Sequence, residues 1–222
     1  MEYKRHIIET ADGSKTLFIP EMNEQYHSVN GALTESEYVF LEKGFRHHLS
    51  SSPRLFEVGF GTGLNALITA LEAEQTERHT LFTSIEKYPL TTEEINQLDY
   101  GSLFSERASE FFEKLHSAEW ENDVQISEYF TLHKINGDLK NDAISKGNVY
   151  DLIYFDAFGP DKQAEMWQSE VLQKIYDACA KGAVFVTYSA KGEIRRRLES
   201  CGFKMERLPG PPGKRQMLRG IK

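Results

Sequence analysis

Two hydrophobic periodicities alternate along this chain. Short apolar runs of strand length occur at Arg54–Val58, His79–Ile85, Tyr150–Phe155 and Ala183–Tyr188. Between them lie stretches whose apolar residues recur three and four apart, as at Leu64, Leu67, Ile68 and Leu71, the period of a helix with one buried face. Tyr150–Phe155 is almost wholly apolar, the pattern of a parallel strand covered on both faces. Further helices are predicted after Pro89 and Thr91-Thr92-Glu93-Glu94, over 103–117, over Met166–Ala180 with a stop at Lys181-Gly182, and over Glu193–Ser200. Residues 123–136 hold one or two strands, and Phe203–Leu208 and Gln216–Gly220 two more. Ahead of the first apolar run, residues 1–22 read as a hairpin turning at Asp12-Gly13. A helix then begins at Thr34-Glu35-Ser36-Glu37, with Thr34 as cap and Glu37 closing a capping box. Strands alternating with helices predict an α/β fold: a doubly wound, mostly parallel sheet over 51–222 with a small N-terminal extension over 1–50.

In such a sheet, ligands bind beyond the carboxyl ends of the strands. The first strand runs into Glu57-Val58-Gly59-Phe60-Gly61-Thr62-Gly63-Leu64-Asn65, and a helical pattern follows. Gly59, Gly61 and Gly63 allow a tight turn and a close backbone approach to a ligand. A dinucleotide fingerprint, G-x-G-x-x-G, would need its third glycine at Leu64. The spacing found suits S-adenosylmethionine (SAM), which has no pyrophosphate to lay on the helix. The competing account is a glycine-rich turn with no ligand.

Acids stand at four strand ends: Glu57, Glu86, Asp138 and Asp156. Glu86, about twenty residues beyond the glycine loop, is placed to accept both ribose hydroxyls. Asp138 can accept from an adenine amino group, and Glu57 can orient the loop or meet the amino end of SAM. Asp156 ends a buried strand, where an unpaired carboxylate is costly. The aromatic loop Ala157-Phe158-Gly159-Pro160 follows it, which suits holding an amine nucleophile or a flipped base. Helix or turn capping is the plainer role for Glu86, Asp138 and Asp156. Trp167 opens the next helix, where core packing competes with a place in a substrate wall.

The net charge of −8 hides an asymmetry. Residues 191–222 carry ten Lys/Arg and three Glu, +7, which leaves −15 on residues 1–190. One polyanion-binding edge on an acidic body has that footprint. Of Arg195-Arg196-Arg197, one or two must point outward, and Lys214-Arg215 follows a Pro/Gly loop as a candidate phosphate clamp. A solvated helix face with a basic tail is the alternative. No apolar run has the length of a membrane span, and no signal-peptide pattern is seen, which predicts a cytoplasmic protein. Cys179 falls in a helical apolar pattern and Cys201 precedes a turn. Neither spacing makes a metal site, and no metal is expected.

These residues resemble the methyltransferase half of MnmC and its stand-alone form, MnmD. The carrying segments are Asn30–Leu41, Glu57–Asn65, Glu86–Thr91, Gly137-Asp138, Phe155–Pro160 with Met166-Trp167, and Gly213–Gly220. The glycine loop is generic. The Asp-x-Phe-x-Pro…Met-Trp and Gly-x-Lys-Arg-x-Met-Leu segments are far more specific. The family commonly has Asp-Gly-Phe-Ala-Pro where this chain has Asp156-Ala157-Phe158-Gly159-Pro160.

The resemblance implies a Rossmann-like class I SAM-dependent methyltransferase. Its reaction would be N-methylation of 5-aminomethyl-(2-thio)uridine at the tRNA wobble position, giving 5-methylaminomethyl-(2-thio)uridine. It implies SAM held by Glu57, Gly59, Gly61, Gly63, Asn65, Glu86, Lys87, Asp138 and Asp156, with Asp156 as the catalytic residue. Tyr26, Phe158, Pro160, Trp167, Arg196, Lys214 and Arg215 would meet the substrate. The expected partner is the tRNA anticodon stem-loop, with no membrane and no obligate protein partner; FAD is not expected, because the FAD-dependent oxidase half is absent from the sequence. The rival readings are an aminopropyltransferase of the spermidine-synthase kind and a non-catalytic SAM- or RNA-binding module.

Overall fold

A computed structural model describes residues 3–142, 144 and 149–222. Its frame is an eight-stranded sheet. Five strands are parallel neighbours: β4 (Arg54–Val58), β5 (Thr80–Glu86), β7 (Phe130–Asn136), β8 (Tyr150–Phe155) and β9 (Cys179–Thr187). In space they run β7-β5-β4-β8-β9, so the strand order reverses at β4. That switch point lies between β5 and β8, where α/β sheets open a crevice. Antiparallel strands close both edges: β6 (Asp123–Ser127) beside β7, and the hairpin of β10 (Lys204–Pro209) and β11 (Gln216–Ile221) beside β9.

The N-terminal residues form a small sheet of β1 (His6–Glu9), β2 (Lys15–Ile19) and β3 (Glu24–Gln25). Next come a short α1 (Ala32–Ser36) and a π-helical segment, Glu37–Phe45. This segment is no separate lobe in its packing: Val39, Phe40 and Phe45 are buried in one core cluster with Leu55, Phe82, Leu152 and Tyr154 of the large sheet. On the other face, Phe56, Ile153, Phe155 and Phe185 pack with Trp167, Leu172 and Ile175. Helices α2 (Leu64–Gln75), α3 (Thr92–Leu98), α4 (Glu106–Ser117), α5 (Ser169–Ala178) and α6 (Gly192–Cys201) connect the strands.

Most predicted elements are present, and Arg54–Val58 and Tyr150–Phe155 keep their bounds. Two differ. Thr34 is not a cap: α1 starts at Ala32 after Gly31. The Thr34 amide and hydroxyl instead both donate to Asp12 Oδ2, at 2.9 and 2.8 Å, so the β1–β2 turn caps this helix from outside and Glu37 closes no box. Cys179 is not helical either. The fifth helix ends at Ala178, and β9 begins there, earlier than the expected Ala183. The left-handed Gly182 (φ 80°) lies within that strand, not after a helix, and the pairing of β8 with β9 shifts register beside it. Both cysteines are free and buried.

Candidate active site

A cavity of about 350 Å³ opens at the carboxyl ends of β4, β5, β7 and β8. Its floor is the loop from Gly59 to Thr62. Gly59 and Gly61 adopt positive φ, 91° and 50°. A Cβ on Gly59 would lie 3.2 Å from the Asp156 carbonyl, and one on Gly61 would lie 3.1 Å from the Tyr26 ring. The backbone thus comes near both walls where a side chain would crowd. Gly63, at φ 74°, is the N-cap of α2 and does not line the cavity. Beneath the loop, His116 Nε2 donates to the Thr62 carbonyl at 3.1 Å. Burial pushes this imidazole down to about 4, so it is neutral at pH 7 and acts as a fixed donor.

Glu86 ends β5 and already holds the loop. Its Oε2 accepts from the Gly61 amide at 3.0 Å and its Oε1 from the Tyr88 amide at 2.7 Å. A carboxylate has about four acceptor sites, so each oxygen keeps capacity toward the cavity. Asp138 accepts from the Lys87 ammonium (2.9 Å), the Asn141 amide group (3.0 Å) and the Lys140 backbone amide (3.0 Å). Burial raises its carboxyl, but these partners outweigh it and the net shift is downward. Asp138 is therefore a fixed anion, and Lys87 is the cation that holds it.

Asp156, after β8, is the opposite kind of group. Burial is the largest influence on it and raises its carboxyl well above the usual range; Glu35 adds to the rise, while Asn65 and Lys214 oppose it. Asn65 Nδ2 donates to Asp156 Oδ2 at 2.8 Å. Glu57 lies deeper, 1% exposed, and accepts from the Ser84 hydroxyl at 2.6 Å. Among the described residues, Glu57 Oε1 and Asn65 Oδ1 have no hydrogen-bond partner. Burial also raises Glu57 well above the usual range, with Asp156 adding to the rise. An unpartnered carboxyl oxygen at this depth disfavours the charged form. Glu57 is absent from the cavity wall. Of the two roles expected of it, meeting the ligand does not match this position: Glu57 lies behind the wall, within reach of the Asn65 side chain.

The aromatic wall stands beside Asp156. Tyr26 and Phe158 meet edge to face, with ring centroids 5.1 Å apart, and both line the cavity. Pro160 follows, half-buried, at the turn leading away. Trp167 is a correction. It is fully buried, and its indole N–H donates to the Phe158 carbonyl at 2.7 Å, so it braces the loop from behind and cannot reach a substrate. Arg196 and Arg215 are exposed. Lys214 is no free clamp: it pairs with Glu35 and lies over the Tyr188 ring, 3.8 Å from its centroid. Glu35 and Tyr188 were missed as site residues. Tyr188 follows the end of β9, where the strand-end rule could have found it. Glu35 carried no signal, because nothing local ties a residue of α1 to the end of β8.

A glycine loop at a switch point, a strand-end acid holding it and a second acid against an aromatic wall define an enzyme of the doubly wound class that binds a nucleoside-type ligand. The particular family follows from comparison. The profile of a family described as S-adenosyl-L-methionine-dependent methyltransferase matches residues 103–222, and the chain belongs to that family. The tRNA 5-methylaminomethyl-2-thiouridine biosynthesis bifunctional protein MnmC of Leptospira interrogans is 32% identical, over 90% of this chain and 33% of that protein. Its counterpart in Paraburkholderia xenovorans is 29% identical, over 92% and 33%. The chain thus spans about a third of the length of these curated relatives.

MNMC2 from Aquifex aeolicus superposes with a TM-score of 0.76 at 26% identity, covering 99% of this chain and 70% of that one. The resemblance to the methyltransferase half of MnmC therefore stands. Spermidine synthase from Thermotoga maritima shares the fold (TM-score 0.61) at 13% identity, over 99% and 69%. That likeness is of fold alone. The residues present fit SAM: the two glycines leave the room a Cβ would fill, and Glu86 is fixed with acceptor capacity toward the cavity. Gly59, Gly61, Asn65, Glu86, Lys87, Asp138 and Asp156 all line it. Among the described residues, no helix is long and apolar enough to cross a membrane.

Proposed function

We propose that this chain methylates the primary amine of 5-aminomethyl-(2-thio)uridine at the wobble position of tRNA, giving 5-methylaminomethyl-(2-thio)uridine. The observation that carries the reading is the placement of Asp156. It lies where the glycine-loop cavity meets the Tyr26–Phe158 wall, with Asn65 fixing one carboxyl oxygen. The MnmC relatives, named for tRNA 5-methylaminomethyl-2-thiouridine biosynthesis, support the same reading.

SAM supplies an electrophilic methyl group when bound. Gly59, Gly61 and Glu86 hold the donor's nucleoside part, with Glu86 on the ribose hydroxyls and Asp138 toward the adenine amino group. Tyr26 and Phe158 stack the uracil, which leaves the anticodon stack to enter. An alkylamine has a pKa of roughly 10, by analogy with lysine, and must be neutral to attack. Asp156 sets up that loss. Burial raises its carboxyl and a cation brought beside it lowers it again; as the carboxylate, its own proton released to solvent, it orients the ammonium and takes one proton from it, directly or through water. Asn65 keeps the accepting oxygen in place.

The acceptor is the anticodon stem-loop of a cytoplasmic tRNA, held by the exposed Arg196 and Arg215. Neither flavin nor metal nor a partner protein takes part. Tritium transfer from labelled SAM tests the substrate. Purified protein should label tRNA bearing 5-aminomethyluridine and leave tRNA bearing the carboxymethylaminomethyl form unlabelled. Labelling of the carboxymethyl form would overturn the substrate assignment.

A further inference from the structure

One cation of the basic C-terminal segment is turned inward. Lys214 lies on the loop between β10 and β11, a turn closed by hydrogen bonds from the Gly210 amide to the Arg215 carbonyl and from the Lys214 amide to the Pro211 carbonyl. Its ammonium is paired with Glu35 and sits 3.8 Å from the centroid of the Tyr188 ring. Glu35 is 5% exposed, and its second oxygen accepts from the Ser28 amide at 2.8 Å. The seat adjoins the reacting end of the cavity, because the Tyr188 hydroxyl donates to the carbonyl of Ala157, next to Asp156, at 2.9 Å. A carboxylate and an aromatic face form a receptor for a primary ammonium.

We propose that the Glu35–Tyr188 seat is the entry subsite for the acceptor's ammonium group, and that Lys214 fills it until a nucleic-acid backbone draws that side chain outward. This rests on the reading above that the acceptor is a primary amine on RNA. Lysine carries the same head group as an aminomethyl substituent, and both are protonated near neutral pH. Lys214 adjoins the exposed Arg215, so a phosphate approaching this loop meets two cations. The exchange is neutral in charge: one ammonium leaves Glu35 as another arrives. The buried carboxylate is thus never left unpaired, which would otherwise be strongly unfavourable. The seat then hands the amine to Asp156. It also selects for RNA, because a free nucleoside has no phosphates with which to displace Lys214.

Methyl transfer to two acceptors tests this: tRNA carrying 5-aminomethyluridine, and the free nucleoside 5-aminomethyluridine. Lys214→Met keeps the length and removes the charge. It should raise kcat/KM for the nucleoside about tenfold or more, the scale of a carboxylate–ammonium contact backed by a ring, while raising KM for the tRNA. Adding Glu35→Gln should abolish the gain on the nucleoside. Lys214→Gln carries the same test should the Met variant fail to fold. A folded variant with kcat/KM for the nucleoside unchanged or lowered would overturn the subsite. Wild-type protein that methylates the tRNA while the variants show no gain defeats the subsite alone. Wild-type protein inactive on that tRNA defeats the functional reading beneath it.

Discussion

The two sides of the cavity are built differently. The donor side is local: β4, the glycine loop and α2 are continuous in sequence, and Glu86 on the adjacent strand fixes the loop through the Gly61 amide. Its outer anion, Asp138, is held ionised by Lys87, the Lys140 amide and the Asn141 side chain. The acceptor side is assembled from four distant segments. Tyr26 and Glu35 come from the N-terminal region, Asp156 and Phe158 from the end of β8, Tyr188 from the end of β9, and Lys214 from the last hairpin. There burial pushes the carboxyl of Asp156 up. The donor side has its charges already in place. On the acceptor side burial disfavours the ionised form of Asp156, a bias that an arriving cation would oppose.

Breaking the acceptor side should cost most. Asp156→Asn preserves the shape and the contact with Asn65 but removes the carboxylate. Single-turnover methylation at saturating SAM and tRNA should fall by about a hundredfold or more, the range for general acid–base groups, with tRNA binding little changed. A full rate would send the proton by another route.

The donor side should respond in affinity. Glu86→Ala removes the presumed ribose contacts and the tether on Gly61 together. Calorimetry should find SAM binding weakened by about tenfold or more, from charge-assisted hydrogen bonds worth roughly 1.5–3 kcal/mol. Unchanged affinity would place the ribose elsewhere.

A smaller effect depends on pH. Glu57 and Asp156 have folded pKa values above their unfolded ones, so between the two values the native state binds more protons than the unfolded chain. Their contribution to stability is full below the unfolded pKa and is lost as pH rises through the folded one. Glu57→Gln keeps a neutral group there. Its thermal midpoint should gain on the wild type as pH rises from the carboxylate range through neutrality. A difference independent of pH would mean that Glu57 is ionised in the folded protein.

The smallest effects belong to the exposed cations. Arg196→Ala and Arg215→Ala should each lower the slope of log affinity for tRNA against log salt by about one unit, with the single-turnover rate at saturating tRNA nearly unchanged. An unchanged slope would make that residue a solvated surface charge.

The same contrast explains what could be read from the chain. Gly59, Gly61, Asn65 and Glu86 were legible because strand, loop and helix are contiguous and the acid falls at the next strand end. Asp156 was legible for the same reason. The inward turn of Lys214, the burial of Trp167 behind Phe158 and the place of Glu35 were not. Each depends on a partner far away in sequence, and a single chain carries no periodicity that reports it. Capping of α1 failed likewise, since Asp12 in the β1–β2 turn outcompetes the local Thr34–Glu37 box.

The most direct measurement of the central claim is the mass of the wobble nucleoside after purified protein, SAM and tRNA bearing 5-aminomethyl-2-thiouridine are incubated together. The nucleoside should gain one methyl group on its exocyclic amine with wild-type protein and almost none with Asp156→Asn. An unmodified nucleoside with both proteins, or a methyl group found on a ring or ribose atom, would contradict the account.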